Sequence, residues 1–401
     1  MSIFRAGGGS RDDEGLTAAV EAVVDPGLFH PIGALGMVRS VETKRRSVEV
    51  VLAVPSGGHP DEEALKGAVV AAVERAGGAA AEVSLVSMSA HEELELQARL
   101  HELGRTGAAG ARSGAEPGPG TTEAGRHGAE GPTPRENPFA DKGSATRVLA
   151  IGSGKGGVGK SSVTVNLAVA LARRGHSVGL LDADVYGFSV PSMLGIKEAP
   201  RLVGDLLVPP VAWGVRCISI GFFVPEDQAV IWRGPMLHKA LEQFLVDVHW
   251  GAPDYLLIDL PPGTGDVALS IAQFVPRAEL YVVTTPQQAA ERVAQRAAVL
   301  ARQLRLPLRG VIENMSWFTG DDERRYELFG SGGGQALASS LGVGLLAQIP
   351  LVTALRSGGD EGRPIAATDP DGEVGQAFEA LATKIEQMGP SRVYRQELSV
   401  R

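Results

Sequence analysis

The segment GSGKGGVGKSS (residues 152–162) decides the fold of this 401-residue chain. It fits the pattern G-x-x-x-x-G-K-[ST] between Gly154 and Ser161, follows an apolar run and opens a helical pattern that continues to Arg174. Glycines leave main-chain N–H groups free to converge on phosphate oxygens, and the start of a helix adds partial positive charge. The sequence therefore predicts a phosphate-binding loop between a strand and a helix, with Gly175 placed to end the helix.

Two lysines lie five positions apart in this loop. We expect Lys160 to pair with the β- and γ-phosphates of a nucleotide and the Ser161 hydroxyl to ligate Mg²⁺. The residues predicted to cradle the phosphates form one run: Gly154, Lys155, Gly156, Gly157, Val158, Gly159, Lys160, Ser161 and Ser162. One lysine is enough to hold the phosphates, so Lys155 needs an explanation of its own.

Carboxylates end two strand-like runs elsewhere in the chain. Asp184 closes LLDAD (residues 180–184), with Asp182 nearby in support, and Asp259 follows the apolar start of YLLIDLPPGTGD (residues 255–266). In a parallel sheet these strand ends open on the same edge as the phosphate loop. We therefore expect Asp259 to hold Mg²⁺ through water and Asp184 to orient the attacking water.

After residue 145, short apolar runs alternate with stretches long enough for crossover helices. We predict strands at residues 147–151, 178–181, 216–220, 255–258, 280–284, 310–312 and 345–349. Apolar runs of this length are typical of strands that are covered on both faces. The pattern predicts an α/β fold with a doubly wound, mainly parallel sheet.

A smaller α/β unit precedes this region and is expected to occupy residues 14–105. Its helical and strand-like patterns alternate along the chain: helices at 16–24, 61–75 and 91–103, strands at 46–54 and 81–86. From residue 106 to residue 144, Gly, Pro, Ala, Ser and Thr dominate without apolar periodicity, which predicts a flexible linker. The nucleotide-binding domain is then expected at residues 145–390, followed by a loose tail at 391–401.

Composition limits the classes of function. The formal net charge of −9 argues weakly against broad nucleic-acid binding, and the single cysteine, Cys217, excludes a disulfide framework within one chain. No apolar run is long enough to span a bilayer, and the N-terminus lacks the apolar core of a signal peptide. We therefore expect a cytoplasmic protein without membrane or nucleic-acid partners.

The run KGGVGKS, with its additional Lys155, resembles the deviant Walker-A loop of the MinD/ParA/nitrogenase-iron-protein class. In that class the extra lysine reaches across a homodimer to the nucleotide of the partner. The resemblance thus implies a homodimeric ATPase in which Lys160 serves its own ATP and Lys155 serves the neighbouring one. A second cation has a physical use, because the transition state spreads charge over the γ-phosphate oxygens. The alternative is an exposed loop lysine without such a function.

Other stretches resemble the Mrp/ApbC family of iron–sulfur cluster carriers across residues 147–388: LLDADVYGFSVPSMLG, WRGPM, DLPPGTGD and ENMSWF. The unit at residues 14–105, with DPGL and LGMVRSV, resembles the small iron–sulfur-assembly domain often fused ahead of it. The resemblance implies ATP and Mg²⁺ as cofactors and the assembly or delivery of iron–sulfur clusters to apoproteins. It also implies that Asn314 contacts the adenine base. The alternative for Asn314 is a loop residue bonded to its own backbone.

One feature of that family is missing from the chain. Many members carry a Cys-x-x-Cys pair after the ENMS motif to hold a bridging [4Fe–4S] cluster, whereas ENMSWFTGDDERRYELFG (residues 313–330) contains no cysteine. Such a cluster takes four thiolates, and a homodimer would offer two, both from Cys217 in a predicted buried strand. Asp321, Asp322 and Glu323 are hard oxygen ligands that suit iron–sulfur clusters poorly. Either a partner protein supplies thiols, or the chain is an ATP-driven switch acting on other proteins.

The second hypothesis is a switch of the MinD or ParA kind that acts on protein, membrane or DNA partners. A membrane switch needs a basic amphipathic C-terminal helix, but GEVGQAFEALATKIEQM (residues 372–388) has three Glu against one Lys. A DNA-partitioning ATPase needs a basic stripe, and the arginine-rich residues 291–309 also fit the solvated face of a crossover helix. A small-molecule phosphotransferase would leave the lysine pair unexplained.

Overall fold

A computed structural model describes residues 11–391, apart from residues 45–46, 60, 79, 108–136, 142, 186, 225–233, 264, 288–298, 300 and 302. The chain divides into two compact units. The smaller unit combines Met1–Ala109 with Pro200–Pro209 and His249–Gly251, and the larger unit contains the remainder. These last two segments lie within the range 145–390 that was predicted for the nucleotide-binding domain, and their grouping with the smaller unit was not predicted. Most of the predicted linker, and all but the first residue of the predicted tail, lie outside the described residues.

The described strands are short, and most of them belong to one sheet. Their bounds are Val38–Thr43 (β1), Ser47–Val54 (β2), Ala80–Ser87 (β3), Arg147–Ser153 (β4), Val178–Asp182 (β5), Arg201–Val203 (β6), Leu206–Val208 (β7), Val211–Ala212 (β8), Val215–Ser219 (β9), Tyr255–Asp259 (β10), Glu279–Thr284 (β11), Leu308–Asn314 (β12), Phe318–Thr319 (β13), Arg325–Tyr326 (β14) and Gly344–Ile349 (β15). All seven strands predicted after residue 145 are present, and each differs from its predicted bounds by at most two residues at either end.

The described helices lie before the first of these strands, between them and after the last of them. Their bounds are Arg11–Glu21 (α1), Ile32–Leu35 (α2), Glu62–Arg75 (α3), Ala90–Gly107 (α4), Lys160–Arg173 (α5), Val190–Met193 (α6), Gly234–Val246 (α7), Asp266–Phe274 (α8), Gly333–Leu341 (α9), Thr353–Asp360 (α10), Ile365–Thr368 (α11) and Glu373–Met388 (α12). No helix in the described part of the chain combines the length and the apolar character that a bilayer crossing requires.

The larger unit is built on an eight-stranded sheet in the order β15-β12-β11-β4-β10-β5-β9-β8. Neighbouring strands are parallel, except that the edge strand β8 is antiparallel to β9. Strands β4, β5, β9, β10 and β11 are buried along their whole length, which is why they read as continuous apolar runs in the sequence. The predicted α/β fold with a doubly wound, mainly parallel sheet is confirmed.

Strand order brings three distant segments to one edge of this sheet. Strand β10 lies between β4 and β5, and its last residue, Asp259, is in register with Ile151 of β4 and Asp182 of β5. The phosphate loop follows β4, and Asp184 lies two residues beyond the end of β5. The carboxyl ends of the three strands therefore meet at the predicted site.

The last helix of the larger unit is part of its core. Phe378, Leu381 and Ile385 of α12 are fully buried, in the same hydrophobic cluster as Leu167 and Leu171 of α5. The amphipathic pattern of residues 372–388 thus reflects packing against α5 and β15. This use of its apolar face argues against a membrane-anchoring helix.

The smaller unit has a three-stranded sheet in which β2 is antiparallel to β1 and parallel to β3. Strand β1 was not predicted. The hairpin of β6 and β7 contributes Val203, Leu206 and Val208 to the core of this unit.

The same unit contains a buried pair of polar side chains. His59 Nε2 is 2.8 Å from Asp25 Oδ2, and neither side chain is exposed. Asp25 also accepts the main-chain N–H groups of Gly27 and Leu28, so the pair fixes a turn.

Candidate nucleotide-binding site

The loop between β4 and α5 has the backbone that its glycines predict. Gly157 and Gly159 adopt φ angles of +74° and +77°, in the left-handed region that favours glycine. Gly159 is the N-cap of α5, and a Cβ atom there would lie 2.2 Å from Asn314 Nδ2. Both the conformation and the space at this position thus require glycine. At the other end of α5, Arg174 is the C-cap and Gly175 has φ +89°, as the sequence predicted.

The loop borders a cavity of about 240 Å³ at the edge of the sheet. Seven of the nine predicted cradle residues line it, from Gly156 to Ser162, whereas Gly154 and Lys155 do not. Ser153, the last residue of β4, also lines the cavity, and the remaining lining residues come from segments that follow β5 and β10: Asp184, Ser189, Met193 and Pro262. Asp184 is the predicted site residue among them, whereas Ser189, Met193 and Pro262 were not predicted to line the site.

Lys160 is buried, with 6% of its surface exposed, and it faces two carboxylates. Its Nζ atom lies 2.6 Å from Asp259 Oδ2 and 3.6 Å from Asp184 Oδ2. The Ser161 hydroxyl donates to Asp259 Oδ2 at 2.6 Å. The structure thus brings the four residues predicted to act on phosphate, metal and water into direct contact. A buried ammonium is tolerated here because opposite charges surround it.

The other carboxylate oxygen of Asp259 has a partner that was not predicted from the sequence. Thr164 Oγ1 lies 2.7 Å from Asp259 Oδ1, and both side chains are fully buried. Thr164 is one helical turn after Lys160, so the two residues share a face of α5. That spacing was a usable signal in the sequence.

Asp182 orders the segment that carries Asp184. It accepts the Asp184 N–H at 3.1 Å and the Ser219 hydroxyl at 3.0 Å. Burial, and then the nearby charge of Asp259, raises the pKa of Asp182 from 3.8 to about 7. Burial also raises the pKa of Asp184, and the Lys160 ammonium opposes that rise. The sequence predicted Asp182 as a support for Asp184 but not the contribution of Ser219.

Asn314, at the end of β12, contacts the phosphate loop. Its Nδ2 donates to the main-chain carbonyl of Val158 at 3.0 Å. This hydrogen bond therefore joins Asn314 to a segment that is distant in the sequence, and not to its own backbone. The residue is 2% exposed, and its Oδ1 has no hydrogen-bond partner within the described residues. A buried acceptor without a donor is costly and fits a site that receives a donor from a bound molecule.

Lys155 has surroundings unlike those of Lys160. It is half-buried, and its Nζ donates to the amide oxygen of Gln287 at 2.7 Å near the protein surface. This partner is uncharged, so the positive charge of the Lys155 ammonium is not neutralised by the bond. Gln287 carries no sequence signal for this contact, since it depends on how β11 lies beside β4.

The donor set at the loop suits a hard divalent cation. Ser161 Oγ and the Asp259 carboxylate are adjacent oxygen donors of the kind that Mg²⁺ prefers, and Ser161 lines the cavity that phosphates would enter. These residues therefore fit Mg²⁺ together with a nucleotide. Within the part of the chain that the structure describes, no group of three or more His, Cys, Asp or Glu side chains forms a separate metal site.

Cys217 is poorly placed to hold a cluster. It lies in β9 in register with Leu180 of β5 and is fully buried in the hydrophobic core. Burial, and then the charge of Asp182, raises the pKa of the thiol well above its ordinary value, which disfavours the thiolate that binds metals. In the segment after Asn314, where the resemblance would place a cysteine pair, Trp317 and Arg325 donate to Glu373.

A glycine-rich loop between a strand and a helix, with a buried lysine and carboxylates at adjacent strand ends, defines a P-loop NTPase domain. Residues 144–386 match the family described as "ParA: NUBPL iron-transfer P-loop NTPase". Because that match spans more than half of the chain, and relatives named iron–sulfur cluster carriers match it closely, the chain belongs to the Mrp/ApbC family of P-loop NTPases.

Relatives match both units. The "Iron-sulfur cluster carrier protein" of Mycobacterium tuberculosis is 44% identical over 386 residues, which cover 93% of this chain and 94% of that protein. The protein of the same name from Bacillus subtilis is 38% identical over 345 residues, with 85% and 88% covered. Among solved structures, the ADP complex of a nucleotide-binding protein from Archaeoglobus fulgidus is 35% identical, covers 55% of this chain and 88% of that one, and has a TM-score of 0.48.

Lys160→Ala is expected to weaken ADP binding at least roughly tenfold, because it removes a charge-assisted contact to phosphate. Lys155→Ala is the matched control and should bind ADP as the parent does, since Lys155 does not line the cavity. Titration with a fluorescent ADP analogue measures both affinities. Equal losses in the two variants would contradict the separate functions assigned to the lysines.

Asp182 is expected to make the nucleotide-free protein less stable as the pH rises. Its pKa is about 7 in the folded protein against 3.8 as the ordinary value, so between these values the folded state holds a proton that the unfolded state has lost. The free energy of unfolding therefore falls with rising pH across this window and levels off above it. Chemical unfolding from about pH 5 to about pH 8 should show a smaller decline for Asp182→Asn than for the parent. Identical declines would refute this.

Proposed function

We propose that this protein binds and hydrolyses ATP as a homodimer and assembles iron–sulfur clusters or transfers them to apoproteins. The observation that carries the proposal is the contact of Lys160 and Ser161 with Asp259 beside a cavity lined by the phosphate loop. The printed name of its relatives, iron–sulfur cluster carrier proteins, supports the second half of the proposal. The expected partners are apo-iron–sulfur proteins or proteins of the assembly machinery.

In the proposed reaction, Lys160 leaves the two carboxylates and pairs with the β- and γ-phosphates of ATP. Ser161 and Asp259 would hold Mg²⁺, which would neutralise charge on the phosphate oxygens. Asn314 would accept a hydrogen bond from the adenine base through Oδ1, the atom that lacks a partner. Asp184 would orient the water that attacks the γ-phosphate, since it faces the cavity from the neighbouring strand end.

Lys155 would act on the nucleotide of the partner subunit. It lies outside the cavity of its own chain and near the surface, bonded to an uncharged side chain. A cation that is free to exchange a weak neutral partner for a phosphate suits action in trans. There it would stabilise the charge that develops on the γ-phosphate oxygens, as an arginine finger does.

Cluster handling would require thiols from another protein. The chain has one cysteine, and Cys217 is fully buried with a raised pKa. We propose that a client or assembly protein supplies the thiolates for the cluster, while this chain supplies the nucleotide-driven change of shape. The missing cysteine pair is also the observation that favours the second candidate, an ATP-driven switch of the MinD or ParA kind with a protein partner.

Lys155→Ala is expected to lower ATP turnover by roughly 10³-fold, the usual contribution of a cation supplied in trans. Lys197→Ala is a matched control, because it removes an exposed lysine at a distance from the loop in sequence. Turnover is measured at several protein concentrations. Undiminished hydrolysis by Lys155→Ala, together with turnover per subunit that does not vary with concentration, would contradict the homodimeric mechanism.

Anaerobic incubation with iron and sulfide is expected to leave no stable cluster on the parent or on Cys217→Ser. With an apo-iron–sulfur enzyme added, ATP should accelerate the recovery of that enzyme's activity, and Lys160→Ala should abolish the acceleration. Iron and sulfide per dimer and the activity of the client are the two measurements. A stable cluster that Cys217→Ser loses would refute the proposal about partner thiols. A client unaffected by ATP would favour the switch.

A further inference from the structure

We infer that Thr164 is a positioning residue that holds the Asp259 carboxylate in the orientation that binds Mg²⁺. The inference rests on the proposed function and deepens it, since it concerns the metal that accompanies the nucleotide. It begins from the two oxygens of Asp259, which have separate partners. Oδ2 faces Ser161 and Lys160 at 2.6 Å each, and Oδ1 faces Thr164 at 2.7 Å.

The Thr164 hydroxyl has one proton and two neighbouring acceptors. One is Asp259 Oδ1 at 2.7 Å, and the other is the main-chain carbonyl of Lys160 at 2.9 Å. The carboxylate is the stronger acceptor, because charge-assisted hydrogen bonds are shorter and stronger. The carbonyl is already served by the main-chain N–H one turn later in the helix. The proton therefore goes to Asp259.

The burial of both side chains makes the hydrogen bond between Thr164 and Asp259 important for the orientation of the carboxylate. Asp259 and Thr164 are both fully buried, so water does not replace the Thr164 hydroxyl at Oδ1. Without that donor, Asp259 would retain partners at Oδ2 only, and the carboxylate could turn about its terminal torsion, which is broad in aspartate. With the donor in place, Oδ2 remains directed at the Ser161 hydroxyl.

The orientation matters because Ser161 has to perform two tasks. Its hydroxyl donates its proton to Asp259 Oδ2, which leaves the oxygen lone pairs available for a cation. The same carboxylate is the second expected partner of the metal. Fixing Asp259 through Oδ1 therefore sets both oxygen donors at once, which is how residues that bond to metal ligands commonly tune a site.

Thr164→Val tests the inference by removing the hydroxyl and retaining the shape of the side chain. The Mg²⁺ concentration that half-saturates the enhancement of ADP binding should rise roughly tenfold, as with other losses of a partner to a metal ligand. Affinity for ADP in EDTA should stay within about twofold of the parent, because no phosphate contact is lost. Thr164→Ser keeps the hydroxyl and should restore the Mg²⁺ requirement of the parent.

Thr383→Val is a matched control elsewhere in the larger unit. Thr383 also bonds to the carbonyl one turn earlier in its helix, that of Glu379 at 2.9 Å, and it is remote from the phosphate loop in the sequence. It should leave the Mg²⁺ requirement unchanged. In an Asp259→Asn background, Thr164→Val should add little further effect, because the two residues act as one unit.

A Mg²⁺ requirement of Thr164→Val equal to that of the parent would overturn the inference, as would an equal loss of ADP affinity with and without Mg²⁺. Should this variant fail to fold, Thr164→Ala makes the same deletion, and a tenfold higher requirement in Thr164→Ser would also overturn the inference. A parent that lacks Mg²⁺-dependent ADP binding contradicts both proposals. A parent that shows it and yet fails to assist an apoprotein contradicts the proposed function alone.

Discussion

The contact between one buried ammonium and two carboxylates is the interaction on which the rest of the larger unit depends. Lys160 is 6% exposed, and its charge is offset by Asp259 and Asp184. Removing these charges from water is costly, so the arrangement is tolerated only where all of them meet. They lie at or just after the ends of three different strands, and the register of β10 between β4 and β5 brings them together.

That contact is also central to the proposed response of the site to a nucleotide. The Lys160 ammonium offsets part of the negative charge of the two carboxylates, and in the proposed reaction a phosphate takes their place as its partner. The carboxylates then become available for metal and water in the proposed reaction. Asp182 extends the effect, because it holds the Asp184 N–H and the Ser219 hydroxyl at the ends of β5 and β9. In the proposed reaction, a change at Asp184 would therefore also reach the ends of β5 and β9 through Asp182.

The two halves of the proposed function have unequal support within the chain. For the nucleotide half, Lys160, Ser161, Asp184 and Asp259 lie in contact, whereas the cluster half has a single thiol, which is buried in the core. The segment after Asn314 contains the hairpin of β13 and β14, where Trp317 and Arg325 donate to Glu373 and the Arg325 guanidinium stacks on the Trp317 ring. In the proposed function, partner proteins would supply the thiolates that bind the cluster, and this chain would supply the nucleotide-driven change of shape.

The sequence by itself determined the phosphate loop, the seven parallel strands of the larger unit and the carboxylates at their ends. These features are local: glycine is needed where φ is positive, and strands covered on both faces must be apolar. Tertiary structure alone decided the partner of Lys155, the grouping of Pro200–Pro209 with the smaller unit, and the contact of Asn314 with Val158. These features depend on strand order and register, which bring together residues that are far apart in the chain. Such contacts produce no periodic pattern in the sequence from which they could be predicted.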